Sequence, residues 1–118
     1  MARYPHIDGT QFGSIRIDGT TYDNDVWIFA DGTIRSRDRS LSGSSHTVSK
    51  AEMEALCETT PQVVFVGSGQ NGVAQVAPEA RDYLQQTGVE LRSAITPKAV
   101  DEYNRCELTK AGVFHLTC

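Results

Sequence analysis

The sequence predicts an α/β fold in which an antiparallel β meander is followed by the order α-β-α-β-α-β, so that the strands meet in one mixed central sheet. Three observations carry that prediction. Asp-Gly pairs at Asp8, Asp18 and Asp31 punctuate the first third, each near an apolar or alternating run, and Asp-Gly suits the tight turns that join antiparallel strands. Ser49-Lys50-Ala51-Glu52, Pro78-Glu79 and Thr96-Pro97 then each open an amphipathic stretch that ends before a short apolar run. Helices that alternate with strands require parallel pairs joined by crossovers, expected to be right-handed.

In chain order, Phe12 to Ile17, Thr20 to Tyr22, Val26 to Phe29 and Thr33 to Arg37 are the expected strands of the meander. The string Ile-Asp-Gly-Thr occurs at Ile7 and Ile17 and reads as reuse of a turn, because the similarity stops there. Arg35, Arg37 and Arg39 alternate along one side, which reads as a solvated face, with an anion or partner contact as the alternative. Ser40 to Ser45 is rich in Ser and Gly apart from Leu41 and is expected to be a mobile connection.

Ser49 and Glu52 have the spacing of a capping box, with Val48 and Met53 placed as a hydrophobic staple and Met53, Leu56 and Cys57 as the inner stripe of the helix. Pro61 stops that helix. Val63 to Val66 is apolar at every position, as in a central strand covered on both faces. Pro78 is placed to open the second helix, Ala80, Tyr83 and Leu84 to be its buried stripe, and Gly88 to end it. Val89 to Ile95 is the next strand. Thr96-Pro97 is expected to cap a third helix, with Ile95 and Val100 as a second staple, Val100, Tyr103 and Asn104 inward, and Asp101 and Glu102 solvated. Val113 to Thr117 is the expected closing strand.

A chain of 118 residues has room for one domain, spanning residues 1–118, that buries about two-thirds of its unfolded surface. The formal charge of −4 and the scattered basic residues argue against nucleic acid as a partner. No apolar run reaches the ~20 residues of a membrane span, and Met1-Ala2-Arg3-Tyr4-Pro5 lacks the apolar core of a secretory signal. No membrane insertion and a cytoplasmic location are the resulting expectations. Cys57, Cys106 and Cys118 are widely spaced, without a C-x-x-C, and suggest neither a disulfide framework nor a zinc site. His6, His46 and His115 do not assemble into a recognisable set, and G-x-S-x-G and H-E-x-x-H are absent. No catalytic residue, metal or cofactor is therefore expected, and His115 reads as a hydrogen-bonded sheet residue.

Gly67-Ser68-Gly69-Gln70-Asn71-Gly72 directly follows the central strand and has the letters of a dinucleotide fingerprint. In such a site the glycines open a helix at once, so that its N-terminus meets the pyrophosphate. Here Val73 to Ala77 intervenes before Pro78, so the loop reads as a strand-to-loop turn. Ligands in mixed sheets gather beyond the carboxyl ends of parallel strands, which makes this loop and the turn at Thr96 the natural rim. Gly67, Ser68, Gly69, Gln70, Asn71 and Thr96 are the candidate binding residues for a carboxylate or phosphate, against the alternative that they hydrogen-bond their own loop.

Four stretches stand out together: Phe12-Gly13-Ser14-Ile15 with Tyr22-Asp23-Asn24-Asp25-Val26; Val66 to Gln70; Thr96 to Asn104; and Phe114-His115-Leu116-Thr117-Cys118. Jointly they resemble the small Mth-type domain family, which includes the mitochondrial complex I assembly factor 3 and the adipogenesis-associated Mth-domain protein. The resemblance implies a three-layer α/β fold with a mixed central sheet. It also implies action by contact with a protein partner, as an assembly or accessory factor, with no catalytic residues to carry over. Partner binding predicts an exposed apolar or aromatic patch near Tyr4, Phe12 or Trp27, whereas a small-ligand or anion-binding protein would instead present a concave pocket at the rim.

Overall fold

The computed structural model describes residues 4–44 and 46–118. Met1 to Arg3, and Ser45 at the end of the Ser/Gly connection, lie outside the described residues. The meander forms as antiparallel pairs but divides between two sheets. Strands β1 (Ile7–Gln11), β2 (Ser14–Ile17) and β3 (Thr20–Tyr22) make a small sheet in the order β1-β2-β3. The central sheet takes β4 (Val26–Ile28) and β5 (Ile34–Ser36) together with β7 (Val63–Ser68), β9 (Glu90–Ala94) and β10 (Lys110–His115), in the order β5-β4-β10-β7-β9. Helices α1 (Arg39–Ser42), α2 (Lys50–Cys57), α3 (Pro78–Thr87) and α4 (Thr96–Arg105) complete it, with a two-residue parallel bridge between β6 (Thr47–Val48) and β8 (Gln75–Val76).

Turn chemistry places the strands, with one correction. Asp18-Gly19 is the expected type I′ turn, both residues having positive φ (47° and 81°). Asp8-Gly9 is no turn: it lies inside β1 at a register shift, and the Asp8 carboxylate accepts the Gly19 N–H at 2.7 Å, so that this pair supports the next turn instead. The first hairpin turns at Phe12-Gly13, which breaks the expected Phe12 to Ile17 strand.

The helix starts follow from capping. Ser49 and Glu52 form the capping box of α2, while Val48 and Met53 are buried in one cluster. Gly88 closes α3 in the left-handed conformation. Thr96 does not cap α4. It is the first helical residue, Ile95 occupies the cap position without a side-chain bond, and Ile95 is exposed rather than stapled. The first residues of the Ser40 to Ser45 segment expected to be mobile belong to α1, which begins at Arg39 and is capped by Asp38. The closing strand lies earlier than expected, at β10, because Lys110 is buried at its start and donates from Nζ to the carbonyl oxygens of Tyr103 and Cys106.

Two apolar clusters sandwich the central sheet and give it three layers. On one side Val26, Ile28, Val63, Phe65 and Phe114 pack against α4 and against Ile7, Ile15 and Ile17 of the small sheet. On the other, Trp27, Val64, Val66, Ala111 and Val113 meet Met53, Leu56, Ala80 and Leu84 of α2 and α3. Strands covered on both faces need apolar residues at successive positions, and every residue of β7 and β10 is buried.

Candidate functional site

The parallel strands β7 and β10 end together, with Ser68 and His115 as register partners. Their carboxyl ends carry a buried ionic cluster that no local sequence pattern announces. β10 also pairs antiparallel with β4, Phe114 opposite Val26, so His115 arrives beside Asp25. Its Nδ1 is 2.8 Å from Asp25 Oδ2, and the Leu116 N–H donates to Asp25 Oδ1 at 2.9 Å.

Arg37 is the major correction to the sequence reading. It does not share a solvated face with Arg35 and Arg39: its side chain is 0% exposed, because the residue following β5 turns under α2. Its guanidinium donates to Glu52 through Nε (2.6 Å) and a terminal nitrogen (2.9 Å), to Asp25 Oδ2 (3.0 Å) and to the Thr47 carbonyl (2.7 Å). Burial opposes the charge most strongly, yet the bonds and charges of Glu52 and Asp25 outweigh it and hold the guanidinium above its ordinary pKa. Glu52 therefore does double duty, since it also accepts from Ser49 N–H in the capping box and from Trp27 Nε1.

The three histidines do not come together: His6 is exposed and pairs with Asp8, and only His46 and His115 meet. The exposed His46 ring stands edge-on to His115, with centroids 5.3 Å apart, while His115 is 1% exposed and places Nε2 3.3 Å from Thr117 Oγ1. Ion pairs made by residues so far apart in the chain have no periodicity to betray them. The one available signal was a carboxylate, Asp25, set immediately before a wholly apolar strand.

The glycine loop lies on the same rim, and its donors are engaged within the chain. The N–H of Gly69 goes to Thr96 Oγ1 (2.9 Å), that of Gln70 to the Thr117 oxygen (2.7 Å), and those of Asn71 and Val73 to the main-chain oxygen of Cys118 (3.2 and 2.9 Å). Ser68 Oγ donates to the Ala94 carbonyl, and Gln70 Nε2 to Thr10 Oγ1. Thr96 links the segments, donating to the His115 carbonyl at 2.5 Å. Gly67 is buried against Thr96, and a Cβ on Gly69, at φ +102°, would lie 2.3 Å from the Cys118 carbonyl carbon. Close approach of Cys118 and His115 thus explains that glycine. The extended segment after the loop pairs as β8 before α3 begins.

Among the described residues no cluster of His, Cys, Asp and Glu has metal-binding geometry, and no helix is long and apolar enough to cross a membrane. Burial is the main force raising the Cys57 thiol above its ordinary pKa, which suits a packed thiol rather than a reactive one.

Residues 7–112 match the family described as Protein of unknown function (DUF498/DUF598). The chain belongs to this family. As a DUF498/DUF598 domain it is similar over nearly its full length to solved structures. The conserved hypothetical protein PH1505 from Pyrococcus horikoshii OT3 is 26% identical at a TM-score of 0.87, with 95% of this chain and 98% of that one covered. MT938 is 25% identical at a TM-score of 0.81, with 97% and 99% covered. A Mth938-like domain from Bordetella pertussis shares the fold at 15% identity and a TM-score of 0.71, with 95% and 85% covered. The expected Mth-type membership and the mixed α/β fold are both borne out. The DUF498/DUF598 match ends before His115, so the ionic cluster straddles its boundary.

Proposed function

We propose that this DUF498/DUF598 domain, read as one unit over residues 1–118, is a cytoplasmic protein that binds a protein partner at the carboxyl rim of its central sheet, as an assembly or accessory factor. One observation carries the reading: three exposed apolar side chains stand on segments that meet at that rim. Phe12 is 63% exposed, Val73 48% and Ile95 45%. Phe12 is anchored by the neighbouring Gly13 N–H to the Leu116 carbonyl, Val73 by its own N–H to Cys118, and Ile95 lies under Gly72. Rigid display of apolar groups in water is a property of association surfaces. Trp27, by contrast, is buried and Tyr4 half-buried against Lys110 and Tyr103, so Phe12 alone of the three expected aromatics serves. The test is co-purification with wild-type chain and with a Phe12→Ser, Val73→Ser, Ile95→Ser variant of unchanged circular dichroism. Equal recovery of every partner by both would defeat the reading.

A second reading, a small anion at Gly67, Ser68, Gly69, Gln70, Asn71 and Thr96, rests on the place of these residues beyond the carboxyl ends of parallel strands; the adjoining cluster, two carboxylates to one guanidinium, does not attract it. The anion would have to replace the oxygens of Thr117 and Cys118 on the loop N–H groups. A thermal-shift screen with phosphates and carboxylates tests it, since ligands of the folded state raise apparent stability.

A further inference from the structure

One arrangement at the rim exceeds what satisfying a buried charge requires. Asp25 is held by three groups: Leu116 N–H on Oδ1 at 2.9 Å, Arg37 on Oδ2 at 3.0 Å and His115 Nδ1 on Oδ2 at 2.8 Å. With Asp25 a carboxylate paired to Arg37, the proton of that last bond sits on Nδ1, and Nε2 is left as an acceptor. The atom facing Nε2 is the hydroxyl oxygen of Thr117, at 3.3 Å. A hydroxyl, an imidazole and a carboxylate in this order form the relay that activates serine nucleophiles, and a threonine side chain offers the same oxygen. The separation is loose, as such bonds are in unliganded enzymes before substrate tightens them. Thr117 is half-buried, whereas His115 is buried.

The geometry points to Thr117 as a nucleophile toward small activated acyl groups, with His115 as its base and Asp25 as the positioning residue. Thr117 Oγ1 forms a bond to the acyl carbon while His115 Nε2 takes the hydroxyl proton. The tetrahedral adduct then breaks its bond to the leaving oxygen or sulfur, which accepts that proton from Nε2 and departs as an alcohol or thiol. Water attacks the O-acyl threonine by the same relay, releasing the carboxylic acid and restoring the hydroxyl. This is a chemical activity and goes beyond partner binding, which needs only the surface of the rim.

The probe is p-nitrophenyl acetate with the full chain, reading nitrophenolate release and the acetylated residue by peptide mass mapping. A Cys118→Ser background removes the adjacent thiol as a competing acceptor. The expected result is acetyl on Thr117, kept in Thr117→Ser and lost in Thr117→Ala. His115→Gln should slow it by about 10²-fold, the low end of general-base effects. Asp25→Asn should slow acylation without changing the half-saturating ester concentration. Acetyl carried only by Cys118 or lysines in the parent chain, an unchanged rate in Thr117→Ala of native circular dichroism, or no acetylation of the folded protein overturns the proposal. The Thr117 pair decides the matter even if His115→Gln fails to fold, because Thr117 is not in the core.

Discussion

Replacing Arg37 with Met tests whether this side chain is an element of the core or a member of a charged surface. Among the described residues four bonds are lost: two to Glu52 (2.6 and 2.9 Å), one to Asp25 (3.0 Å) and one to the Thr47 carbonyl (2.7 Å). Summing charge-assisted bonds at about 1.5–3 kcal/mol each would overshoot, because single terms are not additive. The carboxylates also keep partners, Asp25 retaining Leu116 N–H and His115 while Glu52 retains Ser49 N–H and Trp27. What remains is the cost of breaking a buried pair from one side, about 3–5 kcal/mol, out of about 5–15 kcal/mol for a whole domain. The comparison is Arg35→Met, two residues earlier in β5, where an exposed guanidinium lies 5.8 Å from the Phe29 ring centroid and about 0.5–1 kcal/mol is at stake. Urea unfolding at pH 7 followed by fluorescence reads both, and the single tryptophan, buried Trp27, reports on Glu52 directly. Adding Glu52→Gln to Arg37→Met should recover part of the loss by removing the stranded charge. If Arg37→Met and Arg35→Met fall within about 1 kcal/mol of each other, a threshold set by ordinary surface pairs, the buried-cluster argument is wrong.

Tyr103→Phe should be neutral or stabilise by up to about 1 kcal/mol, because its buried hydroxyl has no hydrogen-bond partner among the described residues. Burial, then the charges of Tyr4, Cys106 and Asp18, hold the Tyr103 pKa above its ordinary value. The unfolded chain thus ionises first, so this contribution is full below about pH 10 and falls as pH rises further. Urea titrations at pH 8 and pH 11 should show that part of the alkaline loss vanish in the Phe variant. Thr96→Val removes an acceptor for Gly69 N–H and a donor to the His115 carbonyl and should cost about 2–3 kcal/mol in thermal or urea unfolding, with Thr96→Ser retaining most of it. Gly69→Ala meets both a positive φ and the Cys118 backbone, and hydrogen exchange should show the Gln70 and Val73 amides losing protection as residues 117–118 are displaced.

Local chemistry made much of the fold legible. The capping box at Ser49, the αL stop at Gly88 and the type I′ turn at Asp18-Gly19 depend on neighbours within a few residues, and all form. Asp8-Gly9 failed because its carboxylate serves a turn on the next strand, which a local reading does not weigh. Thr96 failed because a tertiary acceptor, the His115 carbonyl, competes for its hydroxyl. The site was visible as a location and invisible as chemistry. The glycine rim follows from strand topology, but Asp25, Arg37, Glu52 and His115 meet only after β4, β5, α2 and β10 have assembled, and alternation alone made Arg37 indistinguishable from Arg35.

The position of β10 has a consequence for how the chain must come together during synthesis. β10 lies between β4 and β7, so a nascent chain that has not yet released residues 110–115 holds two half-sheets with an open slot between them. Both flanks of that slot, Val26–Ile28 and Val63–Ser68, are buried when complete and are templates for wrong pairing while empty. Joining strands so distant in sequence is also slow, which lengthens the dangerous interval. The same slot makes the domain divisible: a fragment ending before Lys110 should accept residues 110–118 as a donor strand supplied from outside, restoring the sheet and the Asp25–His115 pair in one step.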